Sequence, residues 1–136
     1  MFYEHSAVKM ILEAETGRIL DVNHAAEKFY GWKCEQMRSM KISDINTLSP
    51  EEIQLEIEKV RTGKRNYFEF RHRLADGSVR DVEVYSTALE MDGKEVLYSI
   101  IHDVTEKRRA VESVLYEQYL LNSLMDTTPD LIYFML

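Results

Sequence analysis

The groups in this sequence that could move a proton, hold a metal or attack a bond are few and widely spaced. Its four histidines are His5, His24, His72 and His102. None has the His-x-x-x-His spacing that puts two imidazoles on one helical face for a metal. The single cysteine, Cys34, sits in Lys33-Cys34-Glu35. One thiol cannot close an intrachain disulfide, and a small, partly buried thiol behaves as a hydrophobe. Glu51-Glu52 is an adjacent acid pair at a helix start, where it complements the positive end of the helix dipole. No Ser/His/Asp arrangement and no glycine-rich phosphate loop is present. Gly17, Gly31, Gly63, Gly77 and Gly93 are dispersed, each at a turn or a helix end. No residue is assigned a catalytic or metal-binding role.

Two positions carry a more defined expectation. His72 alternates with Phe68, Phe70 and Leu74 on one face of a strand. A polar ring on an apolar face must be satisfied by the protein, by water or by a ligand carboxylate. A histidine hydrogen-bonded at a pocket edge and a ligand-contacting histidine both fit. Asp103 can accept hydrogen bonds or pair with an arginine, and Thr105 can cap the helix that follows.

The elements that must position these residues follow from pattern. Val8, Met10 and Leu12 alternate as a strand, Thr16-Gly17 turns, and Arg18 to Val22 reads as a second strand. Asn23 caps a short helix carrying Ala26, Phe29 and Tyr30, which Gly31 stops. A further helical piece spans Cys34 to Arg38. Ser49, Pro50 and Glu52 form a capping box with proline at the first helical position. Ile53, Ile57 and Val60 give that helix an apolar stripe, and Gly63 closes it. Asn66 to Leu74 alternates, Asp76-Gly77 turns, and Val79 to Leu89 places Val82, Val84, Ser86 and Ala88 on one face. After Asp92-Gly93, Glu95 to Val104 is apolar on both faces, as in the middle of a sheet. Two strands, short helices and a three-strand meander make an α+β domain with one antiparallel sheet.

From Glu106 to about Met125 there is no glycine or proline. Val111, Val114, Leu121 and Met125 occupy heptad a and d positions, with Gln118 between them, as in a short coiled coil. A helix folded back on its own domain fits the same period. Ser6-Ala7-Val8-Lys9-Met10-Ile11-Leu12 aligns with Thr128-Pro129-Asp130-Leu131-Ile132-Tyr133-Phe134 as the start of a repeat.

Composition sets the class. Hydrophobic residues at 45% and charged residues at 30% describe a globular chain rather than a disordered one. A net charge of -7 argues against nucleic acid and against an anionic membrane surface. No apolar run reaches the roughly 18 residues that span a bilayer. Met1, Phe2 and Tyr3 are followed at once by Glu4, His5 and Ser6, unlike a signal peptide.

The assembled motifs resemble the PAS family with its following PAC segment, over about residues 2–109. Gly17-Arg18-Ile19-Leu20-Asp21-Val22-Asn23, Ala26 and Tyr30-Gly31-Trp32 are similar to the first half of the family pattern. Arg71-His72-Arg73-Leu74-Ala75-Asp76-Gly77-Ser78 is similar to the second-half hairpin. His102-Asp103-Val104-Thr105-Glu106-Lys107-Arg108 resembles the closing Asp-x-Thr signature. The resemblance implies a five-stranded antiparallel sheet in order 2-1-5-4-3, short helices on one face enclosing a small pocket, and a C-terminal linker helix. It implies a sensor domain over 1–105, a helical signalling linker over 106–126 and the truncated start of a second such domain over 127–136. Pocket candidates are Phe29, Trp32, Ile57, Val60, Phe68, Phe70, His72, Val84 and Ser86. Asp103 and Thr105 would couple the sheet to the linker.

The expected function is a non-catalytic sensory input module of a larger cytoplasmic protein, whose parent can be membrane-anchored elsewhere. It would take a small-molecule ligand, pair as a homodimer and signal to an output domain outside the chain. Phe70 to Leu74 with Val82 to Ser86 resembles sensors of cyclic-di-GMP proteins, so a diguanylate cyclase output is favoured over a histidine kinase. The ligand is unknown. Haem is disfavoured because no histidine lies on the Ser49–Gly63 helix, and covalent flavin because Cys34 lacks an Asn-Cys-Arg setting. The alternative is a ligand-free dimerisation scaffold. A pocket of about 300 Å³ or more with convergent polar groups favours sensing, and one filled by side chains favours the scaffold.

Overall fold

The computed structural model describes residues 7–125. His5, the Ser6–Leu12 repeat's first residue and the second-domain segment 127–136 lie outside or at the edge of that range. The chain divides between Val104 and Thr105 into two compact units.

The first unit is one antiparallel sheet. Its strands are β1 (Val8–Glu13), β2 (Ile19–Val22), β3 (Tyr67–Arg73), β4 (Val79–Met91) and β5 (Lys94–Asp103). Their order is β2-β1-β5-β4-β3, with β5 in the centre. β5 is paired on both edges, to β1 and to β4; Val96, Leu97, Ser99 and Ile101 are buried, whereas Tyr98 and Ile100 are half-buried. β4 continues to Met91, two residues past the alternating segment. The turn that ends it has Asp92 and Gly93 both left-handed, at φ 51° and 79°, a geometry that carries the strand twist straight through a two-residue turn.

The helices between β2 and β3 are α1 (His24–Tyr30), α2 (Cys34–Met37) and α3 (Pro50–Arg61), with a single 3-10 turn at Ile42–Asp44. Asn23 caps α1 through its Oδ1, which accepts from the Ala26 N–H at 3.0 Å. The same side chain binds Lys9 N–H and donates to the Ala7 carbonyl, so the cap also ties α1 to β1. Gly31 ends α1 at φ 93°, with an added Cβ only 3.0 Å from Ala75 Cβ. α3 carries the reciprocal capping box, Glu52 N–H to Ser49 Oγ and Ser49 N–H to Glu52 Oε1.

The buried helix residues Ala26, Tyr30, Met37, Ile53, Ile57 and Val60 join Met10, Leu12, Phe68, Val82, Val84 and Ile101 of the sheet in one core. Ile42 of the 3-10 turn and Ile45, which follows it, belong to the core as well. That stretch has no clear period, and the two isoleucines are buried through the turn hydrogen bonds Ile42 N–H to Gly17 O and Ile45 N–H to Ile42 O.

The second unit contains α4 (Thr105–Met125). The helix opens at Thr105, which is buried. Val111, Val114 and Leu121 are exposed, and so are Leu115, Tyr116, Tyr119 and Leu120. Among the described residues no helix is long and apolar enough to cross a membrane.

Candidate functional site

Alternation on β3 sends Phe68, Phe70 and His72 to the inner face, where their rings stack in a row. Centroids are 5.3 Å apart for Phe68–Phe70 and 6.2 Å for Phe70–His72. The row lines a cavity whose interior admits water centres over about 50 Å³. Ile57 and Val60 of α3 form part of the wall, as do Val84 and Ser86 of β4. Ser86 and Ser99 face each other across β4 and β5, hydroxyl to hydroxyl at 2.7 Å, which satisfies both where they are buried.

Phe29 and Trp32 are not among the residues lining this cavity. Both are half-buried against the core. Phe29 packs edge-on to Tyr30, and the left-handed turn at Gly31 carries Trp32 onto the periphery.

His72 is fully buried rather than at an edge. Its Nδ1 is 2.7 Å from the Tyr30 hydroxyl, and Tyr30 is also fully buried. Its Nε2 is buried and has no hydrogen-bond partner among the described residues. Burial holds the imidazole's pKa down to about 3, so the ring is neutral at physiological pH. Burial, with a smaller contribution from Asp103, raises the Tyr30 phenol far above its ordinary range.

Asn46 also lines the cavity and is absent from any sequence pattern. Its backbone pairs with His72 as an isolated antiparallel bridge. Met10, Leu12, Ile42, Ile53, Leu97 and Ile101 complete the apolar wall among the described residues. Ile53 belongs to the same stripe as Ile57 and Val60, so the helical period contained it. The Tyr30–His72 bond joins residues 42 positions apart and left no local signal.

Arg80 stands directly opposite His72 in the β3–β4 ladder. Its guanidinium binds Asp103 of β5, Nε at 2.9 Å and Nη2 at 2.8 Å from Oδ2. Asp103 in turn pairs with Val82 in the β4–β5 ladder and lies two residues before the start of α4.

The remaining titratable groups of interest lie elsewhere. His102 is exposed, with its ring edge-on to Tyr85. His24 is paired with Glu27 at 3.1 Å. Burial pushes the Cys34 thiol above its usual range, and its Sγ lies 3.4 Å from Asp21 Oδ1, an environment that suppresses the thiolate.

The cavity satisfies the two criteria for a sensor pocket unequally. Its volume is well below about 300 Å³ and its walls are mostly side-chain hydrocarbon. One of its lining residues, His72, carries a buried nitrogen with no hydrogen-bond partner among the described residues.

Comparison with known proteins places this geometry. Residues 8–106 match the family described as PAS domain. The chain is 34% identical over 116 residues to diguanylate cyclase DgcM of Escherichia coli K12, covering 83% of this chain and 28% of that protein. The chain therefore spans just over a quarter of the relative's length. Among solved structures it is similar to the PAS domain of a Desulfitobacterium hafniense protein, with TM-score 0.70 and 20% identity, covering 74% of this chain and 95% of the other. It is likewise similar to the PAS domain of an HTR-like protein from Haloarcula marismortui, with TM-score 0.69 and 22% identity, covering 75% and 84%. At these identities the structural likeness speaks to the fold.

Proposed function

Since this chain belongs to the PAS domain family, a family of sensory modules, we propose that it senses a small molecule in the cavity beside His72 and passes the result through α4 to an output domain. The observation that carries this reading is the ladder from cavity to helix. His72 lines the cavity and is paired to Arg80, Arg80 is ion-paired to Asp103, and the chain enters α4 two residues later. A ligand that moves His72 by a fraction of an ångström also moves the strand pair that holds Asp103. Its effect is a shift between two arrangements of the linker, bounded by its differential affinity for them.

The similarity to DgcM supports a diguanylate cyclase as the output domain, outside this chain. The chemistry of that output would belong to the other domain, because the sites described above hold no nucleophile–base pair. A cytoplasmic location fits this role.

The small cavity volume favours the second reading, a dimerisation scaffold whose pocket is filled by its own side chains. Native mass spectrometry of the purified chain, before and after incubation with a cellular small-molecule fraction, separates the two. Sensing gives a discrete mass increment that is lost in His72→Phe. A dimer that never acquires an increment establishes the scaffold and removes the sensor reading.

A further inference from the structure

We infer that the cavity selects a small uncharged molecule presenting a carbonyl-type oxygen, received by the Nε2–H of His72 and the side-chain amide of Asn46. This rests on the reading of the cavity as the ligand site and adds the chemical class of the ligand.

The proton on His72 is placed by Tyr30. The Tyr30 phenol is fully buried, and its one hydrogen-bond partner among the described residues is His72 Nδ1. A buried phenol proton needs an acceptor. If Nδ1 carried the hydrogen, the phenol oxygen would accept it and the phenol proton would be left without a partner. The satisfied arrangement has Tyr30 donating to Nδ1, so Nε2 bears the ring hydrogen. Nε2 is the buried nitrogen without a partner, on a residue that lines the cavity. The tautomer turns that atom into a donor.

Asn46 supplies a second donor beside it. The Thr47 N–H donates to Arg71 O at 3.0 Å, and the Arg73 N–H donates to Ile45 O at 2.7 Å. These bonds flank the Asn46–His72 bridge, which makes the two residues a non-hydrogen-bonded antiparallel pair. Side chains of such a pair share a face and stand about 4.5–5.5 Å apart at Cβ. Asn46 Oδ1 accepts the Leu48 N–H at 3.0 Å. That leaves the amide NH2 to face outward from its own turn. One oxygen with two lone pairs matches two adjacent donors.

Charge narrows the class further. Among the described residues no lysine or arginine lines the cavity, and the one formal charge there is the carboxylate of Glu56, which pairs with Lys59 at 3.0 Å. An anion would lose its hydration and meet a like charge. A cation would face two donors at the His72 end. Burial keeps His72 itself neutral. The Ser86–Ser99 pair cannot serve the same ligand atom. Ser86 lies six residues along β4 from Arg80, the residue opposite His72, which is about 20 Å at strand rise. At about 50 Å³ for water centres, the space suits a ligand on the order of five heavy atoms.

The test is a titration of the full chain, labelled with nitrogen-15, by 2-butanone, n-pentane and propionate. These probes match in heavy-atom count and differ in polarity. Long-range proton–nitrogen spectra report the His72 tautomer directly. The expected result is an Nε2–H tautomer in the free protein and a displaced Nε2–H resonance with 2-butanone. Affinity for 2-butanone should exceed that for the other two by at least about tenfold, since a site built around donors rejects analogues that leave them unpaired. Tyr30→Phe releases Nδ1, and both the single tautomer and the preference should decline. An Nε2 without hydrogen overturns the inference, as does n-pentane binding as well as 2-butanone. Propionate binding best overturns the ligand class and leaves the sensor reading standing. If no probe binds and the Nε2–H signal couples only to a trapped water, the inference and the cavity-sensor reading fall together.

Discussion

His72 holds the most consequential single-residue chemistry in the chain. Folded, its pKa is about 3 because burial disfavours the cation. Unfolded, it returns to about 6.5. Between those values the unfolded chain binds a proton that the folded chain refuses. Stability therefore falls as pH drops below about 6.5, and the contribution is flat above about 7. By pH 5 the loss attributable to this group is about 2 kcal/mol. His72→Gln removes the titration. Urea unfolding at pH 7 and pH 5 should show the wild type losing about 2 kcal/mol more than the variant across that interval. Equal losses would assign the acid sensitivity to other groups. The Arg80–Asp103 pair is partly exposed, at 25% and 27%. A double-mutant cycle with Arg80→Ala and Asp103→Ala should give a coupling of about 0.5–1 kcal/mol, the range for such pairs. In a full-length protein, Asp103→Ala should change output far more than that modest loss would explain. A melting temperature that drops by the amount of a core cavity would make Asp103 a structural residue instead.

At the scale of elements, α3 and α4 differ in what holds them. α3 is fixed at its start by the Ser49–Glu52 box and along its length by Ile53, Ile57 and Val60 in the core. Ser49→Ala should cost about 1 kcal/mol in chemical unfolding, with the unfolding slope unchanged. A slope change would mean the cap influences more than one helix end. α4 has 21 residues, and its apolar side chains Val111, Val114 and Leu121 are 53%, 53% and 59% exposed. Most helical stability in proteins comes from packing an apolar face, so this exposed apolar surface calls for a partner. The exposed set extends beyond the heptad seam to Leu115, Tyr116, Tyr119 and Leu120, which gives a parallel pair more surface than a and d positions supply. The expected outcome in sedimentation is a dimer for the whole chain and a monomer for a truncation ending at Lys107. Two dimers would move the contact to the sheet or the N-terminal segment. Two monomers at tens of micromolar would remove the helix-pairing idea.

For the molecule as a whole, cavity size and side-chain placement bear on what cofactor it could hold. α3 carries no histidine to ligate haem, and the Cys34 thiol is held protonated beside Asp21 rather than presented to the cavity. A space of about 50 Å³ for water centres excludes a macrocycle or a flavin ring without repacking of the core. The purified chain should show no absorption band at about 400–450 nm, where such cofactors absorb. A band there would mean the inner wall opens substantially.

The sequence by itself determined the elements and their order. Period-two alternation on β3 and β4, the Asn23 and Ser49 caps, and the Asp92-Gly93 turn are local, because each is satisfied by backbone groups within a few residues. The doubly apolar run at Val96 to Ile101 placed β5 in the centre, and there it is paired on both edges, although Tyr98 and Ile100 on its outer face are only half-buried. Alternation and helical period put Ile57, Val60, Phe68, Phe70, His72, Val84 and Ser86 on apolar or inner faces, the family resemblance implied a pocket there, and all seven line the cavity. Tertiary structure decided the rest. Gly31's left-handed turn took Trp32 away from the cavity, and Phe29 lies against Tyr30 rather than on the cavity wall. The 3-10 segment brought Asn46 beside His72, with no period to announce it. The buried bond from Tyr30 to His72 joins two residues 42 positions apart and leaves the other ring nitrogen without a partner among the described residues. Those contacts join residues far apart in sequence, and their energies come from desolvation and pairing inside a core that exists only once the sheet has closed over its helices.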